Sequence, residues 1–182
     1  MISFTSQEAA PSFDHPLDML HACHGKILRQ CDTLKKLAAH LASHGCDQQA
    51  RQAARDILRY FDSAGQFHHQ DEEEDVFPAL RLAAGAGQAQ LHELLECLLS
   101  EHVVMLAAWT ALRPVLVQLA GGVDAPLSGT LIENFIGSYT AHIAVEERDL
   151  LPMAVRLLNP QQTASIGKRM AERRGAKFPI AN

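Results

Sequence analysis

Aromatic side chains are scarce in this 182-residue chain, at 5%, while alanine and leucine abound. That balance argues against a sheet-rich core and for helices. Positive charge is also short: the formal net charge is -5, so no general attraction to nucleic acid or to an anionic membrane is expected. The four cysteines, Cys23, Cys31, Cys46 and Cys97, form no CxxC pair, which leaves free thiols in a reducing compartment as the reading. No basic stretch followed by an apolar core opens the chain, and no segment reads as long and apolar enough to span a bilayer. The expectation is a cytoplasmic protein without a membrane partner.

The stretch from His68 to Asp75 places two imidazoles and five carboxylates in eight residues, then meets Val76, Phe77 and Pro78. A second stretch, His142 to Pro152, echoes it. Both read Phe, six residues, His, three residues, Glu, five residues, Pro, from Phe61 to Pro78 and from Phe135 to Pro152.

Apolar residues recur at three-and-four spacing through most of the chain, which predicts helices. After an irregular lead-in over 1–15, the expected helices cover 16–44, 47–84, 88–120 and 127–158, with a short last helix over 160–174. Gly45 is a natural C-cap for the first. The Arg173-Arg174-Gly175 end of the last helix reads as solvated. The expectation is a single all-α domain over 1–182: an up-down-up-down four-helix bundle with a C-terminal helix. The stripe of the second helix is Ile57, Phe61, Ala64, His68, Glu72, Val76 and Ala79. That of the fourth is Leu131, Phe135, Ser138, His142, Glu146, Met153 and Leu157.

Polar residues interrupt those apolar faces at six places: His24, His68, Glu72, His102, His142 and Glu146. Counted from the connecting turns at about 1.5 Å per residue, all six reach the same height in the bundle. The i, i+4 spacing of each His–Glu pair projects both groups from one face. A buried carboxylate without compensation costs several kcal/mol, so such a layer points to metal. Imidazole and carboxylate without thiolate suit iron. Two octahedral ions offer about twelve positions, which four terminal histidines, two bridging glutamates and a bridging oxygen fill almost completely.

The segments Leu20–Leu28, His68–Pro78, Glu101-His102 and His142–Pro152 resemble the hemerythrin-like HHE cation-binding domains over essentially the whole chain. The resemblance implies a pair of non-haem iron ions, oxo- or hydroxo- and carboxylate-bridged, with zinc or manganese as alternatives. It also carries the ligand roles onto His24, His68, Glu72, His102, His142 and Glu146. In ligand pattern the chain is most similar to the iron-centre repair proteins. The fifth histidine of oxygen carriers has no counterpart, since Leu98 and Leu106 flank His102 at four residues.

The expected function is binding of, or reaction with, O2, NO or peroxide in a stress response or iron-centre protection, with a possible redox partner. The alternative is a non-catalytic iron store, donor or sensor acting through a partner. Elsewhere, His69 and Glu73 read as solvated or supporting, His21 as supporting or exposed with a fifth ligand as the alternative, and His15, His40, His44, His92 and Glu96 as surface. Glu73, Glu74, Asp75 and Glu147 read as an acidic face. Pro78 and Pro152 each remove a helix hydrogen bond near the inward glutamate and are expected to distort the ligand helices there.

Overall fold

The structure is a computed structural model that describes residues 12–85 and 88–178. Most of the expected lead-in, and Ala86-Gly87 of the second turn, lie outside them. Among the described residues all regular structure is helical: α1 (Pro16–His44), α2 (Gln48–Phe61), α3 (Ala64–Gln70), α4 (Phe77–Ala84), α5 (Ala89–Ala120), α6 (Gly129–Val145), α7 (Leu151–Leu157) and α8 (Pro160–Arg173). Local chemistry sets several ends. Asp47 caps α2 by accepting from the Ala50 N–H, and Ser128 does the same for Leu131 at α6. Asn159 and Gln162 form a reciprocal capping box at α8. Gly45 closes α1 at φ 66°, a conformation that suits glycine.

In the bundle α2 packs on α1 and α5, and α6 on α5 and α1. Two apolar clusters fill the interior. One contains Ile27, Leu34, Ile57, Phe61, Trp109, Leu112 and Phe135; the other contains Leu20, Phe77, Leu80, Leu91, Leu95, Leu98 and Leu150. Along the helices His24, His68, Glu72, His102 and Glu146 fall between the two clusters and His142 at the edge of the first, so a polar layer divides the core.

The expected second helix is broken twice. The first break is at Asp62-Ser63, where Asp62 accepts a forked pair from Arg113 at 2.9 Å and the Trp109 indole N–H at 3.2 Å, both from α5. The second is a wide π turn over Asp71–Val76, and α6 runs into a matching one over Glu146–Leu150. In each, a backbone N–H reaches five residues back: Phe77 to the Glu72 carbonyl and Leu151 to that of Glu146. Such turns insert an extra residue into the helical period. The insertion shifts the predicted stripes past each π turn, and before the turns the burial also differs from them by one residue at three positions. Gly65 and Leu80 are buried rather than Ala64 and Ala79, and Leu150, Leu151 and Ala154 rather than Met153 and Leu157. Ile132 and Tyr139 likewise replace Leu131 and Ser138.

Two further expectations are overturned. The window inside α5 is long and apolar enough, by length and composition, to cross a bilayer, with mean hydropathy 1.7. Here one of its faces, Leu91, Leu95, Leu98, His102, Met105, Trp109, Leu112 and Leu116, is spent on the bundle core. The arginine end of α8 is not solvated. Arg174 binds both oxygens of the fully buried Asp71, and Arg173 binds Asp71, Asp75 at 2.9 Å and Glu74 at 2.9 Å. Helix α8 is thereby clamped to the first π turn by charge pairs that leave few lone pairs unmet.

Pro78 and Pro152 stand second in the helices that follow the π turns. Lacking N–H groups, they make no claim on the Glu74 and Arg148 carbonyls. Pro78→Ala restores a donor that favours a regular α turn, and the expected outcome is weaker metal retention after dialysis. Unchanged metal content and spectra would disconnect the prolines from the layer.

Candidate metal centre

All six predicted residues meet. His24 comes from α1, His68 from α3, Glu72 from the first π turn, His102 from α5, His142 from α6 and Glu146 from the second π turn. None is more than 4% exposed, which excludes a bulky substrate from direct contact. They form two overlapping tetrads, His24-His68-Glu72-Glu146 and Glu72-His102-His142-Glu146, each with its donor atoms within 4.8 Å of one another. Both carboxylates belong to both tetrads. The separations suit ions: His24 Nε2 is 3.1 Å from Glu146, His142 Nε2 3.1 Å from Glu146, His68 Nε2 3.3 Å from Glu72, and His102 Nε2 3.4 Å from Glu72. Ligands at ~2.1 Å around one octahedral ion stand roughly 3 Å apart.

The outer hydrogen bonds decide which nitrogens face inward. His102 Nδ1 donates to Glu73 at 2.6 Å, His142 Nδ1 to Glu101 at 2.7 Å, and His24 Nδ1 to Glu147. An imidazole whose Nδ1–H is taken presents a lone pair at Nε2. The Nε2 atoms of His102 and His142 lie 3.0 Å apart, so two lone pairs confront one another unless a cation or proton sits between. All four oxygens of Glu72 and Glu146 are buried without a hydrogen-bond partner. The two carboxylates and the three oriented imidazoles are thus electron donors lacking an acceptor, which is the donor set a cation requires.

With only protons to compensate, the titration behaviour is extreme. Burial opposes charge on His24, yet Glu146 and Glu72 outweigh it and raise His24 to about 11. The same opposition, won by Glu146, raises His142 to about 9. Burial, reinforced by the Glu146 charge, pushes Glu72 up, whereas the imidazoles of His142 and His24 overcome burial and hold Glu146 well down.

Glu147 and Glu101 are unexpected partners of the central histidines, and Glu73 takes the supporting one of its two expected roles. The available signal was adjacency: Glu72-Glu73 and Glu146-Glu147 are doublets whose second member reaches a histidine on the next helix, and Glu101 precedes His102. The acidic-face reading therefore fails for Glu147 and the buried Asp75, while Glu73 is exposed and at the same time supports His102, and Glu74 is mostly exposed. His21 is exposed and shares Glu147 with His24, in the supporting position allowed for it. His69 is not solvated: burial lowers it to about 3, and its ring stacks on His102. His40 and His92 are both half-buried, His40 pairing with Asp47 at 3.0 Å and His92 Nε2 lying 3.2 Å from the Gly85 carbonyl. His68 differs from the other three, since its Nδ1 is buried with no partner. Cys23 stands before His24 where Glu101 stands before His102. A groove of about 620 Å³ between α5 and α6 includes Val104, Ala108, Ala111 and Gly137 in its lining and none of the six residues.

The family model described as the hemerythrin HHE cation-binding domain matches residues 15–154. The chain belongs to that family. This HHE domain is also 36% identical, over 91% of its length and 94% of the relative's, to an uncharacterised protein of Haemophilus influenzae. The match spans all six inward residues and their three carboxylate partners.

Two outcomes follow for the HHE centre. Glu101→Ala leaves the six inward residues in place but releases His142, so metal affinity should fall about 10- to 100-fold in a competition titration. Unchanged affinity would show that Glu101 does not orient the ring. Secondly, His24 and His142, raised to about 11 and about 9, hold protons at pH 7 in the metal-free protein. Metal must displace them, so loading at pH 7 should release protons, and affinity should rise with pH up to about 11, more steeply below about 9. Loading without proton release, followed by pH-stat, would contradict this.

Proposed function

We propose that this HHE domain is a non-haem di-iron protein that binds or reacts with O2, NO or peroxide, on an up-down-up-down four-helix bundle. The single supporting observation is the sharing of both carboxylates between two tetrads that each bring two imidazoles. His24 and His68 would hold one ion, His102 and His142 the other, and Glu72 and Glu146 would bridge them. A donor set of nitrogen and oxygen without thiolate favours iron among the common metals. Bound iron supplies a ferrous–ferric couple suited to small oxidants.

The residues of the chain prepare the rest. Glu73, Glu101 and Glu147 hold three imidazoles in one tautomer, which aims each Nε2 inward. The apolar clusters on either side keep bulk water from the carboxylates, and the narrow burial admits ligands of a few atoms only. The short connections between successive helices support the alternating topology.

Protein produced with iron should carry about two Fe per chain by elemental analysis. Anaerobic reduction followed by NO or O2 should then give spectral changes that saturate with iron content. Retention of one zinc per chain with no affinity for iron would overturn the di-iron reading.

A further inference from the structure

The repeat that aligns Phe61 with Phe135, His68 with His142 and Glu72 with Glu146 also aligns Gly65 with Tyr139 and His69 with Ile143. These last two pairs break the likeness of the halves, and the breaks converge. Gly65, His69 and Tyr139 line one narrow cavity together with Phe61, Met105 and Trp109. It leaves about 30 Å³ to the centre of a water-sized molecule, enough for a ligand of two or three atoms. Glycine keeps it open: a Cβ at position 65 would already come within 3.1 Å of Phe61 Cδ1.

Of the polar residues in this wall, Gln66 is exposed to solvent, and His69 is the one whose ring reaches the metal layer. Its ring is nearly parallel to those of His102, with centroids 4.2 Å apart, and Tyr139, at 5.8 Å. The His68 ring lies 5.8 Å away and the His142 ring 6.5 Å, so His102 is the central imidazole covered by His69. Its Nε2 is buried without a hydrogen-bond partner, yet neither tetrad includes it. A buried polar atom left unpaired beside a cavity of that size is a receptor for something small. In the other half the corresponding residue, Ile143, has no polar side-chain atom to offer.

Building on the di-iron reading, we propose that His69 Nε2 hydrogen-bonds a small exogenous ligand received on the His102/His142 side of the centre. The two metal positions are then unequal in use although their six holders are matched. His69 acts on the ligand rather than as a seventh holder of metal, and the Gly65–Tyr139 cavity gives the ligand its room.

The test uses the full chain loaded with iron, titrated with azide in the ferric state and with NO in the ferrous state. His69→Leu should keep the wild-type iron content while azide affinity falls about tenfold, the loss of one buried hydrogen bond. His69→Gln, which can still donate, should recover part of it. Unchanged azide and NO affinities in His69→Leu would overturn the inference and leave the di-iron centre intact. Loss of iron in His69→Leu would also overturn it, by making His69 a holder of metal or of the fold. Wild-type protein that takes up iron but binds neither probe would remove the ligand-binding reading, and this inference with it.

Discussion

Four carboxylate oxygens buried without hydrogen-bond partners set the terms for the rest of this structure. Glu72 and Glu146 lie between two apolar clusters that deny them water, and an uncompensated buried charge costs several kcal/mol. Imidazoles alone do not resolve this, because three of the four have given their Nδ1–H outward and face the carboxylates with lone pairs. Cations do resolve it, and in their absence protons must, which is why His24 and His142 are held at about 11 and about 9. Metal binding and helix packing are therefore one problem in this bundle.

The layer is stabilised from outside by a second ring of acids. Each doublet divides its labour: the first glutamate turns inward, and the second crosses to the histidine of a neighbouring helix. Four helices are tied together by side chains that never touch the core. The π turns contribute by letting the inward glutamate close the wide turn with its own carbonyl while its side chain serves the centre. The first π turn is in turn fastened by Arg173 and Arg174, so the terminal helix belongs to the support of the site.

Much of this was legible in the linear pattern. The phase of His24, His68, Glu72, His102, His142 and Glu146 against their apolar neighbours, with their heights counted from the turns, picked out the six residues the folded chain brings together. Helical period is a local property, and where the helix is regular it survives from sequence to structure to within a residue, as at Leu131 and Ser138, whose neighbours Ile132 and Tyr139 are the buried ones. It failed where the helix is not: past Glu72 and Glu146 the buried face moves by one residue, so Leu80 and Ala154 replace Ala79 and Met153. The prolines marked the place of the distortion but not its form.

By itself, then, the sequence determined that four amphipathic helices carry one polar layer of imidazoles and carboxylates, because that follows from period and rise along each helix. Only the tertiary structure decided which of the many remaining acids matter. Glu73, Glu101 and Glu147 grip histidines, Asp71 and Asp75 disappear beneath α8, and His69 lies flat on His102 beside a cavity. Those assignments depend on lateral distances between helices and on one extra residue per π turn, and neither is encoded in the spacing along any single helix.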